Sequence, residues 1–267
     1  MPDAGSPEDL RELRELTLAL RAHVEWQRDT GSSGFDVAAA AATAAAVLPA
    51  VASTAAAPAP VAAPISAPVS TPASVPADAA QRLAQLAVTV STCQKCVLCQ
   101  KRKQTVFARG TGSCGVCFVG EGPGADEDAQ GFPFVGKAGQ LLDKMIEAMG
   151  FGRDEVYVCN VVKCRPPDNR KPEPDEMAAC LPYLAEQLEL VRPSVIVALG
   201  ATAVQGLLGT SGGIMRLRGN WKTYRGIPLM PTFHPAYLLR TPSAKRQVWE
   251  DLQEVLKRIG REVPARR

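Results

Sequence analysis

No stretch of this 267-residue chain reaches the ~20 apolar residues needed to cross a bilayer without an interrupting proline or polar residue. The N-terminus, Met1 to Arg14, carries mixed charge and lacks the basic-then-apolar order of a secretion signal. A soluble, cytoplasmic protein without a membrane partner is therefore expected. Histidine is nearly absent, with only His23 and His234 in the chain. Charge is missing altogether from Val37 to Ala77, a run with 19 alanines and 7 prolines. The eight cysteines are too few for a disulfide scaffold at this length and more consistent with metal ligands or core positions.

What is present divides the chain. The net charge of +3 conceals an acidic residue 1–80 segment and a basic remainder, a balance that points to a polyanionic partner, nucleic acid first. Residues 1–36 form a charged leader. Ser6-Pro7-Glu8-Asp9 has the form of a helix start, and Leu10, Leu13, Leu20 and Val24 continue it as one apolar stripe. Residues 37–80 read as an Ala/Pro-rich, disordered linker. No catalytic role is assigned to either segment; the leader is a candidate to bind another protein.

From residue 81 to 267 strands and helices alternate. Gly115–Gly120, Glu155–Val162, Ser194–Gly200 and Leu229–Phe233 read as buried strands. Lys137–Met149, Asp175–Val191, Ala201–Leu208 and Ser243–Ile259 read as helices. Apolar strands alternating with helices predict an α/β fold, a three-layer αβα sandwich with a mostly parallel central sheet. In such a sheet ligands bind at the carboxyl ends of the strands. Those ends carry Gly120-Glu121-Gly122, Asn160 and His234.

The cysteines can be grouped in two ways. Cys93-x2-Cys96 with Cys114-x2-Cys117 has zinc-ribbon spacing and is the grouping that spacing favours. Against it, Cys117 falls inside a predicted strand, where a thiol behaves as a small apolar residue. The competing set is Cys93, Cys96, Cys164 and Cys180, which needs the fold to bring distant segments together, and spacing does not separate zinc from an iron–sulfur cluster.

The glycine turn Gly120-Glu121-Gly122-Pro123-Gly124 lacks the Lys-Ser/Thr of a phosphate loop, and Pro123 removes a backbone N–H that a dinucleotide fingerprint would need. Its glycines instead allow close approach of backbone to a flat ligand. Asp126-Glu127-Asp128, Phe132 and Phe134 follow, for which a solvated acidic loop and two core phenylalanines is the competing reading. His234 closes a strand and opens an apolar-tipped, Pro-kinked loop, His234 to Arg240.

Taken together and in order, Cys93-x2-Cys96, GEGPGADED (120–128), GFPFVGKAGQLLDKM (131–145), NVVKCRPPDNRKP (160–172), Cys180 and FHPAYLLR (233–240) resemble the type-four uracil-DNA glycosylases. These are iron–sulfur members of the uracil glycosylase superfamily. The resemblance covers about residues 85–260. It implies a monomeric enzyme that flips uracil out of single- or double-stranded DNA and hydrolyses its N-glycosidic bond. It also implies that Cys93, Cys96, Cys164 and Cys180 hold a structural [4Fe–4S] cluster, against the preference from spacing. Gly120, Glu121 and Gly122 match the backbone lining the uracil pocket, Phe134 the stacking ring, Asn160 the edge-reading amide, and His234 the group at the leaving oxygen. Leu238 and Leu239 become the wedge that enters the duplex and Arg240 a backbone contact. Of the acids, Glu121 is the first candidate to orient water and Glu127, which also falls near the base, the second. A glycosylase of broader base preference and a non-enzymatic Fe–S or zinc nucleic-acid-binding module are the rival readings.

Overall fold

The structure, a computed structural model, describes residues 77–210 and 212–264. The leader helix and nearly all of the linker expected from the sequence lie outside the described residues.

Six strands form one sheet: β1 (Ala108–Arg109), β2 (Val116–Gly120), β3 (Tyr157–Asn160), β4 (Val195–Leu199), β5 (Lys222–Tyr224) and β6 (Ile227–Thr232), in the order β1-β3-β2-β4-β6-β5. The four inner strands are parallel, and β1 and β5 are antiparallel edges. The helices are α1 (Ala77–Ser91), α2 (Ala125–Gln130), α3 (Lys137–Ala148), α4 (Pro174–Val191), α5 (Ala201–Leu208), α6 (Ile214–Leu217), α7 (Pro235–Arg240) and α8 (Lys245–Arg258).

Side chains alternate across a strand, so a sheet covered on both faces needs apolar residues at every inner-strand position. In β2, Cys117 and Val119 pack with residues of α1, α4 and α5, while Val116 and Phe118 pack on the other face with α3, α7 and α8. β4 divides in the same way, Ile196 and Ala198 against Val195, Val197 and Leu199. The result is the expected sandwich. Among the described residues no helix is long and apolar enough to cross a membrane.

Three expectations change. Helix α1 begins at Ala77, inside the segment assigned to the linker; its stripe of Leu86 and Val90 is buried against the sheet-covering helices. The edge strands β1 and β5 were not expected, because strands of two and three residues are too short to show a period. The segment after His234 is no kinked loop: Pro235 occupies the first helical turn of α7, a position that needs no N–H.

The order of the strands locates a crevice. The chain leaves β2 toward β3 on one side and leaves β4 toward β6 on the other. Diverging connections open a gap beyond the carboxyl ends of β2 and β4, the place where open α/β sheets bind ligands.

Candidate active site and cysteine centre

Gly120 ends β2 and pairs in register with Asn160 at the end of β3. A Cβ on Gly120 would meet the Asn160 Oδ1 atom and lie 2.5 Å from Phe134 Cζ. Only a glycine lets amide and ring come this close to the strand end. The Phe134 ring centroid lies 5.6 Å from that of His234, with the planes tilted by 31°. His234 follows β6, and its Cβ stands 3.1 Å from where a side chain on Gly200 would begin. Residues from β2, β3 and β6 thus meet beyond the sheet, with Phe134 at their centre.

Each group carries a distinct chemical state. Asn160 is buried, and its Oδ1 has no hydrogen-bond partner in the protein. Such an acceptor costs about 1–3 kcal/mol unless a ligand satisfies it. His234 Nδ1 accepts the Ala236 N–H at 3.2 Å, which fixes Nδ1 as the unprotonated nitrogen and leaves the proton on Nε2. Burial, then the positive charge of Arg240, pushes the His234 pKa down to about 4, with Glu127 opposing. At neutral pH His234 is therefore an uncharged Nε2–H donor. Thr232, two residues before it, donates to the Asp251 carboxylate at 2.6 Å, and Arg218 holds the same carboxylate, so the end of β6 is tied to α8.

Phe134 has φ of 56°, a left-handed backbone that costs a bulky residue about 1–3 kcal/mol. Two clamps hold it. Arg109 Nε donates to the Pro133 carbonyl at 3.2 Å while its guanidinium pairs with Asp143. On the other side the Glu127 carboxylate accepts the N–H groups of Val135 and Gly136 at 2.9 and 3.0 Å, and that of Gly124 at 3.0 Å. Both Glu127 oxygens therefore accept backbone N–H groups, and the carboxylate ties the start of α2 to the segment after Phe134. Arg109 was missed by the sequence reading, and no local signal marks it, since its partner carbonyl is 24 residues away.

Glu121 differs from Glu127. Burial raises its pKa above the ordinary glutamate value, with Thr202 at the start of α5 and the charge of Lys171 pulling the other way. The two leucines expected as a wedge divide as well. Leu238 belongs to the core beneath α7, at 1 % exposure, whereas Leu239 is 46 % exposed beside exposed Arg240. The phenylalanines divide likewise, Phe134 buried and Phe132 exposed.

A second constellation lies on the α1–α4 side. Cys93, Cys96, Cys164 and Cys180 line one cavity together with Cys99, Lys95, Arg102, Lys163 and Tyr183. The zinc-ribbon grouping fails: Cys117 is fully buried in β2, where it hydrogen-bonds Cys159, and is absent from that cavity. Among the described residues no three potential ligands stand close enough to grip a metal ion as placed. The donor set still suits a thiolate-ligated group. All four thiols are free, Arg102 donates to Cys164 Sγ at 3.2 Å, and the Lys163 N–H donates to Cys180 Sγ at 3.3 Å. Burial pushes the Cys164 thiol up to about 11, against the pull of Arg102, and also raises Cys180 and Cys96.

An α/β sheet whose carboxyl edge brings together a buried phenylalanine ring, a buried amide and a neutral imidazole fits one class: the model of the Uracil DNA glycosylase superfamily matches residues 107–253. Three relatives are each a type-4 uracil-DNA glycosylase. That of Thermotoga maritima is 46% identical over 179 residues, covering 65% of this chain and 92% of its own. That of Saccharolobus solfataricus is 41% identical, covering 64% and 83%, and that of Archaeoglobus fulgidus 36% identical, covering 69% and 96%. The chain belongs to the type-4 uracil-DNA glycosylases of that superfamily.

Proposed function

We propose that the protein removes uracil from DNA by hydrolysing the N-glycosidic bond, leaving an abasic site. The observation that carries this reading is the unpartnered, buried Asn160 Oδ1 beside the Phe134 ring. Uracil has an N3–H to satisfy that oxygen and an O4 to accept from the Asn160 amide. Cytosine inverts both positions, leaving buried groups unmatched at about 1–3 kcal/mol each. Phe134 supplies the stacking face. The clamped Gly122 to Glu127 backbone is the wall proposed to exclude the methyl of thymine.

Departure of the base places negative charge on O2 and positive charge on the sugar. The uncharged His234 Nε2–H suits the first as a preorganised donor, and Glu121 suits the second as the carboxylate that orients water. Burial lifts the Glu121 pKa, so its charged form is lost at higher pH than an ordinary glutamate as the solution is acidified. His234 remains neutral down to about 4 and adds nothing to that limb until lower pH. The rate should therefore fall on acidification with a midpoint above 4.5, and E121Q should be slower with that limb flattened. An unchanged acid limb in E121Q, measured on single-stranded uracil DNA, would remove Glu121 from the role.

Extrusion of a paired base costs a few kcal/mol. Leu239 is proposed as the wedge and Arg240 as the phosphate contact. Losing the buried area of one leucine is worth about 1.5–3 kcal/mol, so L239A should excise uracil from duplex about tenfold or more slowly. Its rate on single strands should stay near wild type; equal losses on both substrates would contradict the assignment.

Cys93, Cys96, Cys164 and Cys180 are proposed to hold a [4Fe–4S] cluster. Hydrolysis transfers no electron, so the cluster supplies cross-linking, joining the segment after α1 to the β3–α4 connection and to α4. The experiment that tests the whole reading is incubation with uracil-containing single- and double-stranded DNA followed by alkaline cleavage. Nicks at uracil alone are expected. No nicks would favour a bare nucleic-acid-binding module, and nicks at other deaminated bases an enzyme of broader preference.

A further inference from the structure

Lys163 is the largest charged side chain below 2 % exposure among the described residues, at 1 %, and the chemistry above does not use it. Its Nζ donates to the Asn160 carbonyl at 2.6 Å, where the ladder of β3 has run out. Its main chain is fixed from two sides, the N–H to Cys180 Sγ and the carbonyl by the Val106 N–H at 2.8 Å. The residue also lines the cysteine cavity. An ammonium has three donors and needs a counter-charge when buried, yet among the described residues no carboxylate pairs with it. Its positive charge favours the thiolate form of Cys180, one of the proposed ligands.

We infer that Lys163 is a positioning residue that couples the cysteine centre to the uracil-reading amide. Its backbone N–H donates to Cys180 Sγ and its Nζ to the peptide from which the Asn160 side chain extends, so one residue bridges the two sites. The cysteine centre thereby does more than staple two segments: its negative charge keeps a buried cation in place, and that cation sets the height of Asn160 against Phe134. This rests on the glycosylase reading of the pocket and on the cysteine set as an anionic centre.

The test compares full-length wild type, K163M and K163R. Methionine keeps much of the length and removes the charge; arginine restores the charge. K163M is expected to retain iron and sulfide, to lose about tenfold or more in kcat/KM on single-stranded uracil DNA, as for the loss of a charged hydrogen bond, and to show a more negative cluster midpoint potential because a nearby positive charge is gone. K163R should recover part of both. A K163M protein with full iron and wild-type kinetics and potential overturns the coupling, whereas wild-type protein that leaves uracil in place refutes the glycosylase reading itself. Should K163M fail to fold, lysine-selective 15N spectra of the wild type decide. A Lys163 ammonium protected from exchange, assigned by its loss in K163R, supports the inference, and a freely exchanging one overturns it.

Discussion

Replacing His234 by alanine should slow uracil excision about 100- to 1,000-fold, the usual effect of deleting one preorganised oxyanion donor, while affinity for uracil-containing DNA stays nearly unchanged. The size follows from the state of the ring. An imidazole held neutral, with Nδ1 engaged by the Ala236 N–H, presents Nε2–H without needing to reorient as charge develops. Alanine also removes the cap of α7, which typically costs about 0.5–2 kcal/mol. H234N separates the two effects, because asparagine caps well but its amide cannot reach as far as Nε2. Single-turnover rates and thermal melts of both variants make the check: restored melting with an uncorrected rate is expected for H234N. Normal turnover by H234A would refute the donor role. The depressed pKa has a second consequence. An unfolded histidine takes up a proton near 6.5, the folded one only near 4, so His234 subtracts stability as pH falls through that window, and H234A should be less sensitive to acid there.

Cysteine replacement should have the other large effect. Cys164 is buried on the segment that follows Asn160 and Lys163, and it faces Cys93 and Cys96 from a distant part of the chain across one cavity. C164A is expected to lose the brown colour and most of its soluble yield, because a metal centre formed only in the folded chain contributes its binding free energy to folding. Visible spectra with iron and sulfide analysis read the first, and soluble expression the second. C117A is the internal control. Its thiol sits in β2 with Cys159 and outside the cavity, so colour should persist at a small packing cost. A colourless, fully active C164A protein would remove the cluster from the account.

The inner strands and the longer helices were legible because their signals are local and strong. Val195–Leu199 is apolar at every position since both faces of β4 are covered, and α5 runs from Ala201 to Leu208 as expected. Phe134, Asn160 and His234 are far apart in the chain, yet the fold sets Phe134 beside Asn160 at Gly120 and 5.6 Å from His234. Spacing misled for the cysteines, because a Cys-x2-Cys pair looks the same whether its thiols face a metal or, like Cys117, a neighbouring strand. Residue order likewise does not tell Leu238 from Leu239, which the six-residue α7 buries and exposes respectively.

The sequence by itself determined the layer architecture, the strand ends that bear chemistry and the family pattern, all consequences of hydrophobic period and residue order. Only the tertiary structure decided how each carboxylate is held, Glu127 by three backbone N–H groups and Glu121 beside Thr202, which nitrogen of His234 bears the proton, and which thiols share a cavity. It also revealed Arg109 and Lys163. Those answers depend on burial and on partners 24 residues distant in the case of Arg109, or on a turn folding back as Lys163 does onto Asn160. Hydrogen-bond geometry and desolvation are set by neighbours in space, which residue order does not specify.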